Sequence, residues 1–327
     1  MKPDMDLMFC AGVNHMFFHG TAYSPKNDPW PGWKFYASVD MSPTNSIWRD
    51  APELMKYITR CQTYLQWGQP DNDFLVYLPV RDMWRDNREK LLMQFDIHSM
   101  AKKAPDFIKA ILAIDKAGFD CDYISDQYLL SADFCNGRIM TAAGTKYKAL
   151  VIPGNNILPE NVIRHLEELK AKGATVIRGI DNEAMKKGAT PEEMKTELGL
   201  KIIRRSNPIG HHYFIANLTN HDIKATAKLA TGEKNVLWYN PMTGEFNRAD
   251  VYNNGIMINL RSGESRILLS STYPTDDWGI SDSIARAPYE KHVESDSYTI
   301  DLTEGKWSLS FTEEAPKVKD RYKLDKL

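Results

Sequence analysis

The chain has 327 residues, 43% hydrophobic and 26% charged, which is an ordinary composition for a globular protein and predicts two or three domains. A formal net charge of −2 without a basic stripe argues against nucleic-acid binding, so a neutral ligand fits better. Cys10, Cys61, Cys121 and Cys135 form no CxxC pair, which argues against a zinc site or a disulfide framework and predicts reduced thiols.

A continuous apolar run begins at Leu7 and leads into Asn14, His15 and His19. It predicts a buried parallel strand whose carboxyl end opens into a polar site. Since no cap or helix precedes this strand to cover it, we expect a missing upstream segment and exposed apolar surface. No apolar run reaches the roughly 18 residues of a membrane span, and residues 1–4 lack the apolar core of a secretion signal.

A long loop follows over about residues 21–50 and carries five aromatic side chains among Pro, Gly, Asn and Ser: Trp30, Trp33, Phe35, Tyr36 and Trp48. Loops of this length without secondary structure are uncommon and are often functional. Clustered aromatic rings suit stacking on a sugar or an aryl group, so as a group they favour a binding wall. The alternative is that they pin the loop to the scaffold.

Helical and strand patterns then alternate. An amphipathic helix is predicted over 51–68, followed by a strand over 73–79 and a charged, solvated stretch over 80–92. The remaining predicted elements are helices over 105–117 and 159–172 and strands over 122–125, 147–153 and 174–180. This alternation predicts a doubly wound α/β domain with a parallel sheet. The turn after Ile152 carries no nucleophile and no phosphate-binding glycine motif, which favours a structural role.

After Pro208 the pattern changes to short alternating strands, which predict an antiparallel β-sandwich. They cover residues 212–217, 224–230, 236–239, 255–260 and 264–270. A segment from about Tyr298 is typical of the opening strands of another sandwich.

The sequence resembles glycoside hydrolase family 106, the α-L-rhamnosidases. The resemblance rests on Gly12-Val-Asn-His15, His19, Tyr23-Ser-Pro25, Pro31-Gly32, Trp48 and the helix from Tyr57 to Gly68, followed by Asp73 to Tyr77. It implies the end of a catalytic barrel at 1–72, a flavodoxin-like or amidotransferase-like domain at 73–205, a small β-sandwich at 206–272, and a linker with the start of a further sandwich at 273–327. The β-galactosidases of family 42 are similar in domain order.

Family members are much longer, and the resemblance places their two catalytic carboxylates upstream of Met1. Inverting glycoside hydrolysis needs one carboxylic acid and one carboxylate, roughly 6.5 to 9.5 Å apart. The acids near the loop are Asp28, Asp40, Asp50 and Glu53, and none stands at a predicted strand end, while Asp4 and Asp6 precede the strand. We therefore predict no catalytic acid or base in this chain.

The predicted substrate-binding residues are Asn14, His15, His19, Tyr23, Trp30 and Trp33. Strand side chains alternate, so Asn14 and His15 cannot both face the site; we favour Asn14 and His19, and leave His15 open. The resemblance implies a calcium ion near the sugar in the full-length enzyme, but spacing does not locate its ligands, and no cofactor is assigned within this chain.

The resulting hypothesis is the C-terminal portion of an α-L-rhamnosidase that acts on rhamnose-containing oligosaccharide or polysaccharide and is inactive alone. Two alternatives stay open: a β-galactosidase-like hydrolase, and a non-catalytic carbohydrate-binding or scaffolding chain. The resemblance implies an exported parent enzyme. No feature fixes the compartment of this chain.

Overall fold

The computed structural model describes residues 1–85, 99–252 and 255–272. These residues divide into two compact units, one made of 1–14 with the described residues from 58 onward, the other of 15–57. The predicted strands beyond Tyr298 and most of the charged stretch over 80–92 lie outside the described residues. No helix in the described ranges is long and apolar enough to cross a membrane.

The helices among the described residues are, in chain order, Lys2–Cys10 (α1), Ala51–Gln66 (α2), Val80–Arg85 (α3), Met100–Lys103 (α4), Pro105–Lys116 (α5), Asp126–Leu130 (α6), Glu160–Ala171 (α7), Asn182–Gly188 (α8) and Glu193–Thr196 (α9), with a 3-10 helix at Ser46–Arg49. The strands there are Gln69–Pro70 (β1), Phe74–Tyr77 (β2), Cys121–Ile124 (β3), Asp133–Cys135 (β4), Arg138–Met140 (β5), Lys146–Tyr147 (β6), Ala149–Ile152 (β7), Val176–Arg178 (β8), Lys201–Asn207 (β9), Gly210–Ala216 (β10), Ile223–Ala227 (β11), Asn235–Asn240 (β12), Glu245–Arg248 (β13), Val251–Tyr252 (β14), Gly255–Leu260 (β15) and Ser265–Ser271 (β16).

The predicted N-terminal strand is wrong, because the apolar run belongs to helix α1. Met5, Asp6 and Phe9 turn inward at the three-to-four-residue spacing of one helical face. The Phe9 ring packs edge-on against Phe214 of β10, with centroids 5.4 Å apart. A short apolar run fits a buried helix as well as a strand, and Pro3 in the first turn suits a helix start.

Helix α2 confirms the predicted amphipathic helix, and its Ile58, Cys61 and Leu65 are buried. Gly68 lies in the connection between α2 and β1 and has a φ of 70°. A Cβ there would lie 2.0 Å from the Ser206 carbonyl oxygen, so both the backbone conformation and the space require glycine.

Four strands form a parallel sheet in the order β3-β2-β7-β8, which confirms the predicted parallel sheet. All residues of β2 and β7 are buried, since each face of the sheet is covered. Leu75 and Leu150 join one core cluster with helix α7, while Val76 and Val151 join another with helix α5.

Antiparallel strands make up the rest of this unit. One sheet has six strands in the order β1-β9-β10-β16-β12-β13, and a second has the order β11-β15-β14. Both sheets contribute to one core cluster, which contains Ile202, Tyr213 and Leu268 from the first and Ile223 and Ile258 from the second. Strand β9 lies before the predicted start of the antiparallel region, and the small sheet β4-β5-β6 was not predicted.

A buried arginine joins the parallel sheet to the six-stranded sheet. Arg204 of β9 is 3% exposed and binds three acids. Its Nε donates to Asp71 Oδ2 at 2.5 Å, its Nη1 to Glu192 Oε1 at 2.8 Å and its Nη2 to Asp73 Oδ1 at 3.1 Å. Burial alone would lower the pKa of Arg204, but the surrounding carboxylates, Asp73 foremost, raise it well above its ordinary value.

Arg204→Met should lower the free energy of unfolding by about 3 to 5 kcal/mol, because it leaves buried carboxylates without their cation. Urea unfolding followed by circular dichroism measures this change. Arg164→Met, at an exposed position of α7, is the control and should leave the midpoint nearly unchanged. Equal midpoints for the two variants would contradict the structural role of Arg204.

His212 of β10 is held neutral in the same unit. Its ring stacks on Trp67 with centroids 5.2 Å apart, Nε2 donates to the Tyr64 carbonyl at 2.7 Å, and Nδ1 lies 3.0 Å from the Asn207 amide nitrogen. Burial lowers the pKa of His212 to about 4, which disfavours the charged imidazolium.

Acid should therefore destabilise the fold through His212. Since the unfolded-state pKa is about 6.5, the unfolded chain binds this proton first, and the free energy of unfolding falls as pH drops from 6.5 towards 4. His212→Gln should remove up to about 1.4 kcal/mol per pH unit of this slope. Urea midpoints at several pH values measure the slope, with exposed His221→Gln as the control. A slope unchanged in His212→Gln would rule out this role.

Candidate functional site

Residues 15–57 form an exposed aromatic surface, here called the aromatic loop. Its large aromatic side chains are mostly open to solvent, with Tyr36 97% exposed and Tyr23 85% exposed. The exposed rings are Phe17, Tyr23, Trp30, Trp33, Phe35, Tyr36 and Trp48. Rings that pinned the loop to a scaffold would be buried, so this exposure favours binding of a flat apolar face.

Hydrogen bonds within the loop fix its path. The Val39 amide donates to the His19 carbonyl at 3.2 Å, and Thr21 Oγ1 donates to the Met41 carbonyl at 2.8 Å. Trp30 Nε1 donates to the Thr44 carbonyl at 3.0 Å. These contacts hold residues 19–30 against 39–44, so the aromatic loop folds back on itself with little regular secondary structure.

Five of the six predicted substrate-binding residues lie in the aromatic loop. The His15 ring stacks on Phe17 with centroids 4.6 Å apart, and the His19 ring is 5.7 Å from Phe35. The Trp33 amide donates to Ser24 Oγ at 2.7 Å, beside Tyr23. Within the described residues, no ring contact joins two of these five side chains.

Asn14 belongs to the other unit, where its carbonyl oxygen accepts a hydrogen bond from Gln66 Nε2 at 2.7 Å. The argument that Asn14 and His15 face opposite sides of a strand no longer holds, because neither residue lies in a strand. Their roles in binding stay predictions.

Sequence reasoning left four exposed rings out of the site, namely Phe17, Phe35, Tyr36 and Trp48. Phe35 lies between His19 and Tyr36, with its ring centroid 5.0 Å from that of Tyr36. Phe17 is 85% exposed and stacks on His15. Phe35 and Tyr36 were visible in the sequence as part of the aromatic cluster, but only the structure shows that they extend the row that starts at His19.

The acids of the aromatic loop are mostly engaged. Asp40 accepts from Ser38 Oγ at 2.9 Å and pairs with Lys34 at 3.4 Å, and the Ser38 hydrogen bond lowers the pKa of Asp40. Glu53 pairs with Lys56 at 2.7 Å, and Asp50 pairs with Arg49 at 3.6 Å. The lowered pKa of Asp40 favours its ionised form, so this carboxylate suits accepting a hydroxyl proton in a hydrogen bond more than donating a proton.

Asp28 differs from these acids, because its Oδ2 is buried and has no hydrogen-bond partner among the described residues. In the same ranges, no group of three or more His, Cys, Asp or Glu side chains is arranged to hold a metal ion. The calcium ion that the resemblance implies for the full-length enzyme stays a prediction.

The carboxyl edge of the parallel sheet is closed by its own polar contacts. Asp82 accepts from Asn156 Nδ2 at 2.9 Å and from the Ile157 amide at 3.0 Å. Tyr77 donates its hydroxyl to Asp126 at 2.6 Å. Ligands commonly bind at this edge in open α/β sheets, but here the polar groups engage one another.

The sequence profile of glycoside hydrolase family 106, described as alpha-L-rhamnosidase, matches residues 1–185. This range is more than half of the 327 residues and contains the aromatic loop. The chain belongs to glycoside hydrolase family 106. The resemblance seen in the sequence is thus confirmed, and the aromatic loop is a family 106 segment.

A solved rhamnosidase supports the fold, and one curated relative matches part of the sequence. The solved rhamnosidase of Novosphingobium sp. PP1Y aligns with a TM-score of 0.60 at 16% identity, over 83% of this chain and 29% of that one. A Formosa agariphila protein named "Putative beta-glucuronidase" is 26% identical over 178 residues, which are 54% of this chain and 13% of that protein. The chain thus spans less than a third of either relative. Gan42B, a family 42 beta-galactosidase, reaches a TM-score of 0.43, which supports no argument.

A substitution at Gly32 tests whether the backbone of the aromatic loop has a fixed conformation. Its φ is 75°, and a Cβ there would lie 2.5 Å from Ser24 Oγ, the acceptor for Trp33. Gly32→Ala should cost about 1 to 3 kcal/mol locally and speed proteolytic cleavage within residues 15–57. Limited proteolysis with mass spectrometry measures this. Gly188→Ala, where nothing lies within 4 Å of the new Cβ, is the control. Unchanged cleavage in Gly32→Ala would show a loop without this fixed turn.

Proposed function

We propose that this family 106 chain takes part in hydrolysis of terminal α-L-rhamnose from oligosaccharide or polysaccharide, with the aromatic loop as part of the sugar subsite. The observation that carries the proposal is the family match across residues 1–185, which includes the whole loop. The solved Novosphingobium rhamnosidase supports it at the level of the fold.

The chemistry of the aromatic loop suits a deoxyhexose. The methyl group of rhamnose makes one region of the ring apolar, and Tyr23, Trp30 and Trp33 offer exposed aromatic faces for it. His15 and His19 of the aromatic loop supply donors and acceptors for the ring hydroxyls in this proposal, while a binding role for Asn14 stays a separate prediction.

The catalytic carboxylates are proposed to lie outside the described residues. Inversion of the anomeric centre needs a proton donor and a carboxylate that activates water, about 6.5 to 9.5 Å apart. Asp40 of the aromatic loop, whose pKa is lowered, does not suit the role of proton donor. The chain also spans only 29% of the solved rhamnosidase, so we propose that this chain alone does not turn over substrate.

The domain organisation follows from the sheets as a further part of the proposal. The parallel order β3-β2-β7-β8 is second-first-third-fourth along the chain, as in flavodoxin-like domains, which supports such a domain from 73 to about 200. The two antiparallel sheets with their shared core support a β-sandwich that starts at β9. Residues 1–72 are proposed to border the catalytic barrel, with helix α1 in place of the expected strand.

The test is turnover and binding by the purified 327-residue chain. We expect no release of p-nitrophenol from its α-L-rhamnoside, and weak binding of methyl α-L-rhamnoside that Trp33→Ala lowers about twofold to tenfold, as expected for loss of one aromatic contact. Saturation-transfer NMR measures the binding, and Trp84→Ala, an equally exposed tryptophan outside the loop, is the matched control.

The outcomes separate the alternatives. Turnover would place the carboxylates inside this chain and overturn the proposal of inactivity. Binding without turnover agrees both with our proposal and with a non-catalytic binding chain. Rhamnosidase activity of a longer family 106 protein that contains this chain would distinguish the two. Binding of methyl β-D-galactoside in place of the rhamnoside would favour a β-galactosidase-like enzyme. No sugar binding, or equal loss in Trp33→Ala and Trp84→Ala, would overturn the loop's role. Because of the name of the Formosa relative, the panel also includes a glucuronide.

A further inference from the structure

A second cleft lies in the larger unit, away from the aromatic loop in sequence. Its volume is about 320 Å³, near the lower end of ligand-binding pockets, which begin at about 300 Å³. One wall is the segment 69–72 with Ser206, and the other is the hairpin region from Arg138 to Lys148. This cleft, here called the hairpin cleft, has no aromatic lining and is rich in polar side chains.

The hairpin cleft carries unbalanced positive charge. Arg138 and Lys146 are exposed and form no ion pair in the described part of the chain, where the Arg138 guanidinium meets only the neighbouring Gly137 carbonyl, at 3.2 Å. Lys148 pairs with Asp73 at 2.7 Å, and Asp71, which also lines the cleft, pairs with Arg204 at 2.5 Å. Two cations without counterions therefore face this cleft, which favours an anionic ligand.

Asn72 gives an independent indication of a ligand. It lines the hairpin cleft, the residue is 8% exposed, and its buried Oδ1 has no hydrogen-bond partner among the described residues. A buried amide oxygen without a donor is unfavourable, and most such groups in folded proteins are satisfied by protein, water or ligand.

We infer that the hairpin cleft binds an anionic sugar residue, with its acidic group at Arg138 and Lys146 and its hydroxyls at Asn72. The acidic group is a carboxylate, as in a uronate, or a sulfate, and guanidinium and ammonium groups recognise both. An acidic group alone would leave Asn72 unpaired, whereas ring hydroxyls next to it provide the donors. The choice of a sugar rests on the proposed function, while the choice of an anion rests on the cleft itself.

Isothermal titration calorimetry on the full 327-residue chain tests this inference. The probes are methyl β-D-glucuronide, glucose 6-sulfate, the neutral methyl β-D-glucoside and sodium sulfate. We expect at least one acidic sugar to bind at least tenfold more tightly than the neutral glucoside. The double variant Arg138→Gln/Lys146→Gln should abolish this preference, and Asn72→Ala should weaken the acidic sugar without weakening sulfate.

The controls make each outcome informative. Arg164→Gln/Lys109→Gln removes the same charge from exposed helical positions and should leave binding unchanged. Equal loss in both double variants would reduce the effect to net charge and overturn the site. Sodium sulfate that binds as tightly as the acidic sugars would overturn the sugar component, and no binding by any probe would overturn the whole inference. Trp33→Ala should leave acidic-sugar binding intact, so failure of the rhamnoside proposal and failure of this one are distinguishable.

Discussion

The buried guanidinium of Arg204 is the contact on which the larger unit depends. Strand β9 brings it to the point where the chain passes from β1 to β2, and there it binds Asp71 and Asp73 on either side of Asn72. It also binds Glu192, which precedes helix α9. One side chain thus sets the position of the parallel sheet against the six-stranded sheet. A buried charge tolerates few alternative arrangements, because any displacement leaves carboxylates unpaired. The same segment forms one wall of the hairpin cleft, where Arg204 also donates to the Asp71 carbonyl at 3.0 Å.

Most of the regular structure could be predicted because local patterns and packing agree. The apolar face of α2 and the continuous apolar runs of β2 and β7 follow from the spacing of their own residues. The prediction was wrong at the start of the chain, because an apolar run of five residues is too short to show a helical or a strand period. Helix α1 forms there with Phe9 packed against Phe214, a contact distant in the sequence. Strand β9 was not predicted, for another reason. Its Arg204 and Arg205 are charged residues in a buried strand, and two of the acids that compensate Arg204, Asp71 and Asp73, lie far away in the sequence.

The candidate site was likewise predicted only as far as residues close in the sequence define it. Composition alone indicated an aromatic segment, and the family match confirms that this segment belongs to a glycoside hydrolase family. Composition could not indicate which rings adjoin, because the row from His19 through Phe35 to Tyr36 depends on how the loop folds back through bonds such as that from Val39 to His19. The hairpin cleft was missed entirely. Its residues lie near positions 70, 140 and 206, and no short motif links them.

The order of strands in the six-stranded sheet also constrains how the chain can assemble. Strand β16 lies between β10 and β12 and pairs with β10 over seven residues from Gly210 to Ala216. Until residues 265–271 are synthesised, the six-stranded sheet therefore cannot be completed, because β10 and β12 both pair with β16. The contacts of helix α1 also form late, because Lys2 donates to the Gly263 carbonyl at 2.9 Å and to Ser265 Oγ at 3.0 Å. Long-range pairing of this kind slows folding and prolongs the exposure of apolar strands. The nascent chain thus has a period of aggregation risk that ends only when its last described strand inserts.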